Sequence, residues 1–412
     1  MSVRAKYKHS AIAGEIKLFD SLIEAHQFDE ALQFWREHLE KPTLFGLETS
    51  LKRAALLQRF FPHGLDKLLS LTKDDDKMFV LYSLALTLNL TSGYPNRAIP
   101  LYEKHDALGE KTGDFQSLSA SFGHHAKALR QVGRFRESEA VASKGLQIIR
   151  ERRDFLREAV NLYWLGMGLA HRGEAESSEI ALQRALRIFR AKFAVQAEGV
   201  VNAFLAQRNL WLGFYEDALT CAERAEEIGQ ALEKDENHAD LHGAVKILTA
   251  AARMKGEALI FLTETKRGEK KLLYALQRAR EIEFTEEELP ALRALALRAK
   301  RNGDFAAARE FLRQTWHLAE RGGFALYNAD SYNILANIEA AENNPKNAIE
   351  AAQKAFRLAW CDGVPFAYRR GLEDASELLI RLNAEIPTLP PFNETKFLPM
   401  PEIEINPNDE FA

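Results

Sequence analysis

His238 and His242 stand four residues apart beside Asp235, Glu236 and Asp240. Two imidazoles at that spacing share one helical face and could ligate one metal ion, but a zinc site needs three or four ligands braced by outer hydrogen bonds. The expectation is therefore two solvent-facing histidines at the start of an inserted helix. His124 and His125 are adjacent, so on a helix they point about 100° apart and cannot chelate together. Cys361 follows Trp360 with no Cys/His/Asn arrangement around it, which suits a buried structural thiol. The chain contains no G-x-S-x-G, no H-E-x-x-H and no glycine-rich phosphate loop. Its many carboxylates fall on helical patterns, where they chiefly partner Lys and Arg. No catalysis, cofactor or metal is expected.

The totals narrow the class further. Apolar residues make up 46% of the 412 and charged residues 28%, the balance of a folded globular chain. A net charge of −4 gives no basic footprint for direct nucleic-acid binding. Cys221 and Cys361, the two cysteines, lie too far apart in sequence for a metal or redox motif and suit a reducing cytosol. The charged start Met1-Ser-Val-Arg-Ala-Lys-Tyr-Lys has no signal-peptide character. No uncharged apolar run reaches the roughly 20 residues of a membrane span. A cytoplasmic protein without a membrane partner is expected.

What would position any functional side chain is a repeat. Gly93, Gly133, Gly173 and Gly213 stand 40 residues apart; after one step of 50 to Thr263 the beat resumes at Gly303 and Asn343. Five residues after each comes a small side chain: Ala98, Ser138, Ser178, Ala218, Gly268, Ala308 and Ala348. Seven residues before the turn another recurs, at Ala126, Gly166, Ala206, Gly256, Ala296 and Ala336, with Leu86 the exception. An earlier copy sits at His26 and Ala31. Periods of this length mean stacked supersecondary units. Around Gly173, Val160, Leu162, Trp164, Leu165 and Leu169 keep helical spacing before the turn, and Ile180, Leu182, Ala185, Leu186 and Phe189 keep it after. A left-handed glycine ends the first helix, and the small residues let the paired helices approach closely.

The spacing predicts helix pairs over 77–92/95–111, 114–132/135–151, 154–172/175–191, 194–212/215–233, 238–262/265–282, 285–302/305–321 and 325–342/345–361, after an N-terminal pair near 8–25/28–40. Residues 41–76 read as an irregular unit with one helix near 46–60, followed by a looser segment that includes the charge run Lys73 to Lys77. Residues 1–76 are thus expected to cap the array, 77–361 to form seven repeats, and 362–383 to supply a closing helix. Residues 384–412 carry six prolines among Ile386, Leu389, Phe392, Phe397, Ile403 and Ile405, and read as an extended strap laid back on the last helices.

The pattern of small residue, turn glycine and small residue resembles the tetratricopeptide repeat, with units of 40 residues rather than about 34. The fold implied is all-α, a right-handed superhelical solenoid of helix pairs. In such arrays the first helix of each pair lines a concave groove. Here the groove positions include Lys127, Arg130, Tyr163, Met167, Gln207, Arg253, Arg293, Lys300, Asn333 and Asn337. Asn can bond a peptide backbone through donor and acceptor, Arg and Lys can meet carboxylates, and Tyr163 with Met167 offers an adaptable apolar patch.

The ending Ala359-Trp360-Cys361-Asp362-Gly363-Val364-Pro365-Phe366, then Leu389-Pro390-Pro391-Phe392-Asn393 and Met400-Pro401-Glu402-Ile403, resembles the C-terminal repeat arm of bacterial STAND-type NTPases. That resemblance implies sensing or scaffolding in a bacterial signalling or defence assembly. The chain has no G-x-x-x-x-G-K-[S/T] stretch, so an effector protease, nuclease or NTPase would be a separate polypeptide. Two functions are expected: a non-enzymatic scaffold or sensor binding a protein along the groove, or a receptor for a small signalling peptide that changes superhelix curvature. A long open groove favours the first, a deep pocket inside one tight superhelical turn the second.

Overall fold

The computed structural model describes residues 9–67 and 70–405, with side chains from Ile12 onward. Pro407 and the charged run up to Lys8 lie outside the described residues. Among the described residues every regular element is helical. The N-terminal part comprises α1 (His9–Glu24), α2 (Phe28–Phe34) continued by a π turn at Trp35–Leu39, α3 (Glu40–Phe45) and α4 (Leu47–Gln58). Seven helix pairs follow: α5 (Asp74–Leu90) with α6 (Pro95–Thr112), α7 (Phe115–Gln131) with α8 (Phe135–Glu151), α9 (Phe155–Arg172) with α10 (Ala175–Ala191), α11 (Val195–Leu212) with α12 (Tyr215–Lys234), α13 (Leu241–Phe261) with α14 (Thr265–Glu281), α15 (Thr285–Arg301) with α16 (Phe305–Gly322), and α17 (Ala325–Ala341) with α18 (Pro345–Trp360). A single helix, α19 (Arg369–Arg381), closes the array. The chain is an all-α, tetratricopeptide-like solenoid. Asp74, Asp75 and Asp76, read above as part of a looser segment, instead form the first turn of α5, where carboxylates meet the positive end of the helix dipole.

The repeat residues do what their types suggest. Gly93, Gly133, Gly173, Gly213 and Gly303 all have positive φ, as do Thr263 (72°) and Asn343 (60°). The backbone at every beat is thus left-handed whatever side chain occupies it. The small residues meet where the paired helices cross. Ser178 Oγ donates to the Gly166 carbonyl at 2.8 Å and Ser138 Oγ to the Ala126 carbonyl at 2.7 Å. A Cβ on Gly268 would come within 2.6 Å of the Gly256 carbonyl oxygen.

The superhelix is wound tightly enough that its second turn rests on its first. Asn96 Nδ2 donates to the Arg321 carbonyl at 3.3 Å, and the Arg321 guanidinium lies 4.9 Å from the Tyr94 ring centre. The Arg136 backbone N–H donates to Asp362 at 2.9 Å, and Arg172 Nε to the Pro365 carbonyl at 3.0 Å. Gly93, Gly133 and Gly173 back onto Thr285, Cys361 and Arg369 respectively, each close enough that a Cβ would crowd the partner. At the other end α3 and α4 fold across the axis to touch α13.

After α19 the chain crosses this seam in extended form, interrupted by a 3-10 turn at Glu394–Lys396. Trp360 Nε1 donates to the Pro390 carbonyl at 3.1 Å, Arg136 pairs with Glu394 and donates to the Leu398 carbonyl at 3.0 Å, and Arg150 donates to the Glu404 carbonyl at 2.8 Å. Ile403 and Ile405 pack against the apolar cluster that includes Leu146, Leu162 and Leu182. The segment therefore joins the last helix pair to α8, far beyond the last helices alone. Arg136, whose side chain is only 2% exposed, is its main polar anchor. Arg136→Met should loosen it by about 1–2 kcal/mol, raising the open fraction about 5- to 30-fold. Tryptic cleavage at exposed Lys396 under native conditions would then accelerate by a similar factor, whereas an unchanged rate would contradict this anchoring.

Candidate functional site

Tight winding turns the concave face into a chamber of about 320 Å³, inside the range of small-ligand pockets. Its wall takes residues from every inner helix between α3 and α13, and from the start of α15. Leu86 and Leu90 (α5), Val200, Ala203 and Phe204 (α11), Ile247, Ala250 and Met254 (α13) and Phe284 make most of it apolar. Tyr163 and Trp164 of α9 pack against Phe204 as tilted rings with centres 5.2 and 5.0 Å away. Thr43, Leu44, Phe45, Ser50 and Arg53 form the closure from α3 and α4. Arg53 is fixed there by Glu40 at 2.8 Å and Thr43 Oγ1 at 2.9 Å.

Charges on the inner walls neutralise one another, one pair across the axis and the others between or within neighbouring helices. Lys127 Nζ meets Glu286 at 2.5 Å, a contact between α7 and α15, and lies 4.7 Å from the Trp164 ring centre. Gln131 donates to the other Glu286 oxygen at 3.1 Å. Arg253 binds Glu257 and Glu287, each at 2.5 Å, and Arg293 binds Glu257 at 2.9 Å and lies 3.7 Å from Asp330. The Tyr368 hydroxyl donates to Asp330 at 3.0 Å. Burial pulls the Lys127 ammonium below its ordinary range, with Glu286 opposing. Burial pushes the Glu287 carboxyl up, with Arg253 opposing.

Other polar groups of the chamber keep hydrogen-bonding capacity that the protein does not use. Lys246 Nζ donates to the Leu90 carbonyl at 2.9 Å and lies 4.9 Å from the Phe284 ring centre. It lines the chamber, and burial pushes its ammonium down to about 8; Lys127 adds to that, while Glu286 and Asp240 oppose it. His242 is 4% exposed, and its Nε2 is buried without a hydrogen-bond partner, as are Trp164 Nε1 and His124 Nδ1. Burial holds His124 near 3 and His242 well below the ordinary histidine value, so both rings are neutral at pH 7. Buried polar atoms left open mark a place where water or ligand completes the bonding.

Two further hollows adjoin the chamber. A small one of about 50 Å³, lined by Arg130, His171, Gln207, Trp211, Arg293 and Tyr327 among others, shares Glu286 with it. The other is open to the surface and lined by Val160, Phe193, Val195, Leu232 and His238; it shares Tyr163, Gln196 and Val200 with the chamber. Phe193 is 87% exposed at this mouth. Gln196 Nε2 donates to Asp240 at 2.6 Å, on the boundary between mouth and chamber.

Eight of the ten residues expected along the groove are buried: Lys127, Arg130, Tyr163, Met167, Gln207, Arg253, Arg293 and Asn333. Lys127 and Tyr163 line the chamber; Arg130, Gln207 and Arg293 line the small hollow. Asn333 donates to the Gly371 carbonyl at 2.9 Å and Asn337 accepts from Arg381 at 3.1 Å, so α19 covers the inner face there. Lys300 is half-buried, and burial lowers its ammonium. Five of the ten thus face the chamber or the small hollow, and the ten do not form one open strip. His242 corrects the expectation of a solvent-facing ring: α13 is 21 residues long, and its added first turn carries His242 into the chamber, while Lys246 follows at the position that Gln196 holds in α11. The 50-residue step between Gly213 and Thr263 was the signal for it. Glu286 and Glu287 were missed because they open α15, outside the groove positions of the repeat. Among the described residues no three His, Cys, Asp or Glu are grouped to hold a metal, and no helix is long and apolar enough to cross a membrane.

No protein-family model matches the chain, and no curated protein matches it in sequence. Solved structures do. A Rap protein complexed with competence and sporulation factor superposes with a TM-score of 0.53 at 15% identity, covering 91% of this chain and 97% of that one. NprR in complex with its cognate peptide NprX gives 0.47 at 12% identity, covering 90% and 99%. A STAND protein with a tetratricopeptide repeat sensor from Pyrococcus horikoshii gives 0.43 at 12%, covering 87% of this chain and 55% of that one. The first likeness establishes the shared solenoid fold.

Two stability measurements test the charge arrangement. Lys127→Met strands Glu286 on Gln131 alone and should cost about 3 kcal/mol, the low end for a broken buried pair. Adding Glu286→Gln should recover most of that in urea unfolding; equal losses in the single and double variants would refute the pairing. Lys246→Met should do the opposite. A lysine whose folded pKa is depressed weakens the fold while it must stay charged, and the weakness fades as pH rises from about 8 toward the unfolded value near 10.4. Lys246→Met should therefore melt above the parent at pH 7, with the gap closing by about pH 10.

Proposed function

We propose that this chain is a non-enzymatic receptor for a short peptide segment, held inside the superhelical turn rather than along an open groove. The carrying observation is the chamber itself: apolar walls around a buried acceptor, His242 Nε2, that has no protein partner, and a buried donor, Trp164 Nε1, that is offered only the neighbouring Tyr163 hydroxyl. A peptide supplies both amide acceptors and donors together with apolar side chains, so it complements such a wall. Histidine donates through its other nitrogen to the Leu44 carbonyl, which leaves Nε2 as the accepting atom.

The location of the chamber supports a sensing role. A ligand there would touch α5 and α7 on one side and α13 and the start of α15 on the other, so occupancy would bias the superhelix's curvature, and with it the seam where the two turns meet. A Rap protein of the same solenoid fold was solved with competence and sporulation factor, so a superhelix of this kind can hold a regulatory ligand. On this reading the change in shape is passed to a separate protein, an effector protease, nuclease or NTPase in a bacterial signalling or defence assembly. The free thiols Cys221 and Cys361 fit a reducing cytosol as the place of action.

Filling the chamber tests the reading. Ala250→Phe and, separately, Ala203→Leu place new bulk where both alanines face the cavity. Each should cut recovery of peptides from a synthetic pentapeptide pool by about tenfold or more, and overpacking should cost about 1–3 kcal/mol at most. Affinity selection with mass spectrometry reads the first effect and thermal melting the second. A selected peptide should also change the radius of gyration in small-angle scattering. Undiminished recovery in both filled variants would move the binding surface elsewhere.

A further inference from the structure

The chamber's donors also specify one end of its ligand, an inference that rests on the peptide-receptor reading above. An ammonium has three N–H donors. Lys246 spends one on the Leu90 carbonyl, and among the described residues no carboxylate lies within ion-pair distance of it. The chamber's other cations are matched: Arg53 to Glu40 and Lys127 to Glu286. The acids that face the chamber are equally committed. Asp240 accepts from the Gly243 N–H at 2.7 Å and from Gln196 at 2.6 Å; Glu286 accepts from Lys127 and Gln131; Glu287 accepts from Arg253. Lys246 is thus the chamber's one open cation among the described residues, held against an aromatic ring in apolar surroundings where an unmatched charge is costly.

We propose that the chamber seats the free C-terminal carboxylate of a peptide on Lys246, the chain entering through the hollow at Phe193 and Val195. A carboxylate accepts both spare N–H groups in a charge-assisted contact, and Trp164 Nε1 is a further donor on the same wall. Inner helices from α3 to α13 and the start of α15 ring the chamber, so a segment arriving past Tyr163, Gln196 and Val200 ends inside rather than passing through. An amino terminus placed there would set a third cation beside Lys246 and Lys127. A carboxyl terminus instead cancels the charge the wall leaves open. The apolar mouth, with Phe193 exposed, suits an apolar side chain a few residues before the end.

The test uses the full chain with two equimolar synthetic pentapeptide pools, identical except for a C-terminal acid or amide. Affinity selection with mass spectrometry should recover acids over amides by about tenfold or more. Lys246→Gln, with folding checked by thermal melting, should abolish that preference while keeping the selection for apolar residues, and Lys246→Arg should restore it in part. Equal recovery of bound acids and amides by the parent chain overturns the carboxylate assignment and leaves the peptide reading standing. Amide binders sharing an internal Asp or Glu overturn the terminal assignment in favour of a side-chain carboxylate. An acid preference that survives Lys246→Gln overturns the role of Lys246. Recovery from neither pool overturns the peptide reading and this inference with it.

Discussion

Winding this solenoid tightly forces its inner walls to face one another across a narrow axis, and the charges on those walls must then be neutralised by protein alone. Lys127 with Glu286 is the clearest instance, since the two residues come from α7 and α15 and their side chains meet at 2.5 Å. Arg253, Glu257, Glu287, Arg293 and Asp330 continue the same arrangement along α13, α15 and α17. Such pairs contribute little net stability against an apolar alternative, but breaking one leaves a buried charge exposed to its full desolvation cost. The pairs among α13, α15 and α17 tie neighbouring repeats together, and Lys127 with Gln131 ties α7 to α15 across the axis.

The outer contacts tie the superhelix from the other side. The turns at Gly93, Gly133 and Gly173 are where the paired helices reverse, and they are also where the second superhelical turn comes to rest. A side chain at any of them would strain the left-handed backbone and push the two turns apart. The extended segment after α19 then ties the last helix pair to α8 through Arg136, Glu394 and Glu404. Curvature is therefore set jointly by inner ion pairs, an outer glycine seam and a C-terminal tie.

A chain whose inner face is so fully committed has little left for recognition, which makes the uncommitted atoms informative. Lys246, His242, Trp164 and His124 all lie within the one chamber, and all retain hydrogen-bonding capacity that the protein does not use. A cation with no carboxylate partner on an apolar wall weakens the fold, and costs of that kind concentrate at functional sites. The extra turn of α13 delivers His242, and Lys246 follows it at a position every inner helix of the repeat has. The insertion thus adds a chamber histidine that the regular repeat lacks.

Much of the fold was legible from residue spacing. The beat from Gly93 to Asn343 fixed where each pair reverses, because left-handed backbone and close crossings restrict residue type. A second set of left-handed turns left a fainter trace, with glycine at Gly113 and Gly323 but Arg153, Phe193 and Glu283 at exposed turns between them. The inward direction of Lys127, Tyr163, Arg253 and Arg293 was also readable, because helical periodicity decides which face a residue joins. Their partners were not. Whether an inward lysine meets water, a ligand or Glu286 depends on how tightly the units wind, and that angle is the sum of many small packing contacts that no local pattern encodes. The sequence determined a stack of helix pairs and its inner face. Only the tertiary structure decided that this face closes on itself around a chamber, since closure joins residues more than 150 positions apart.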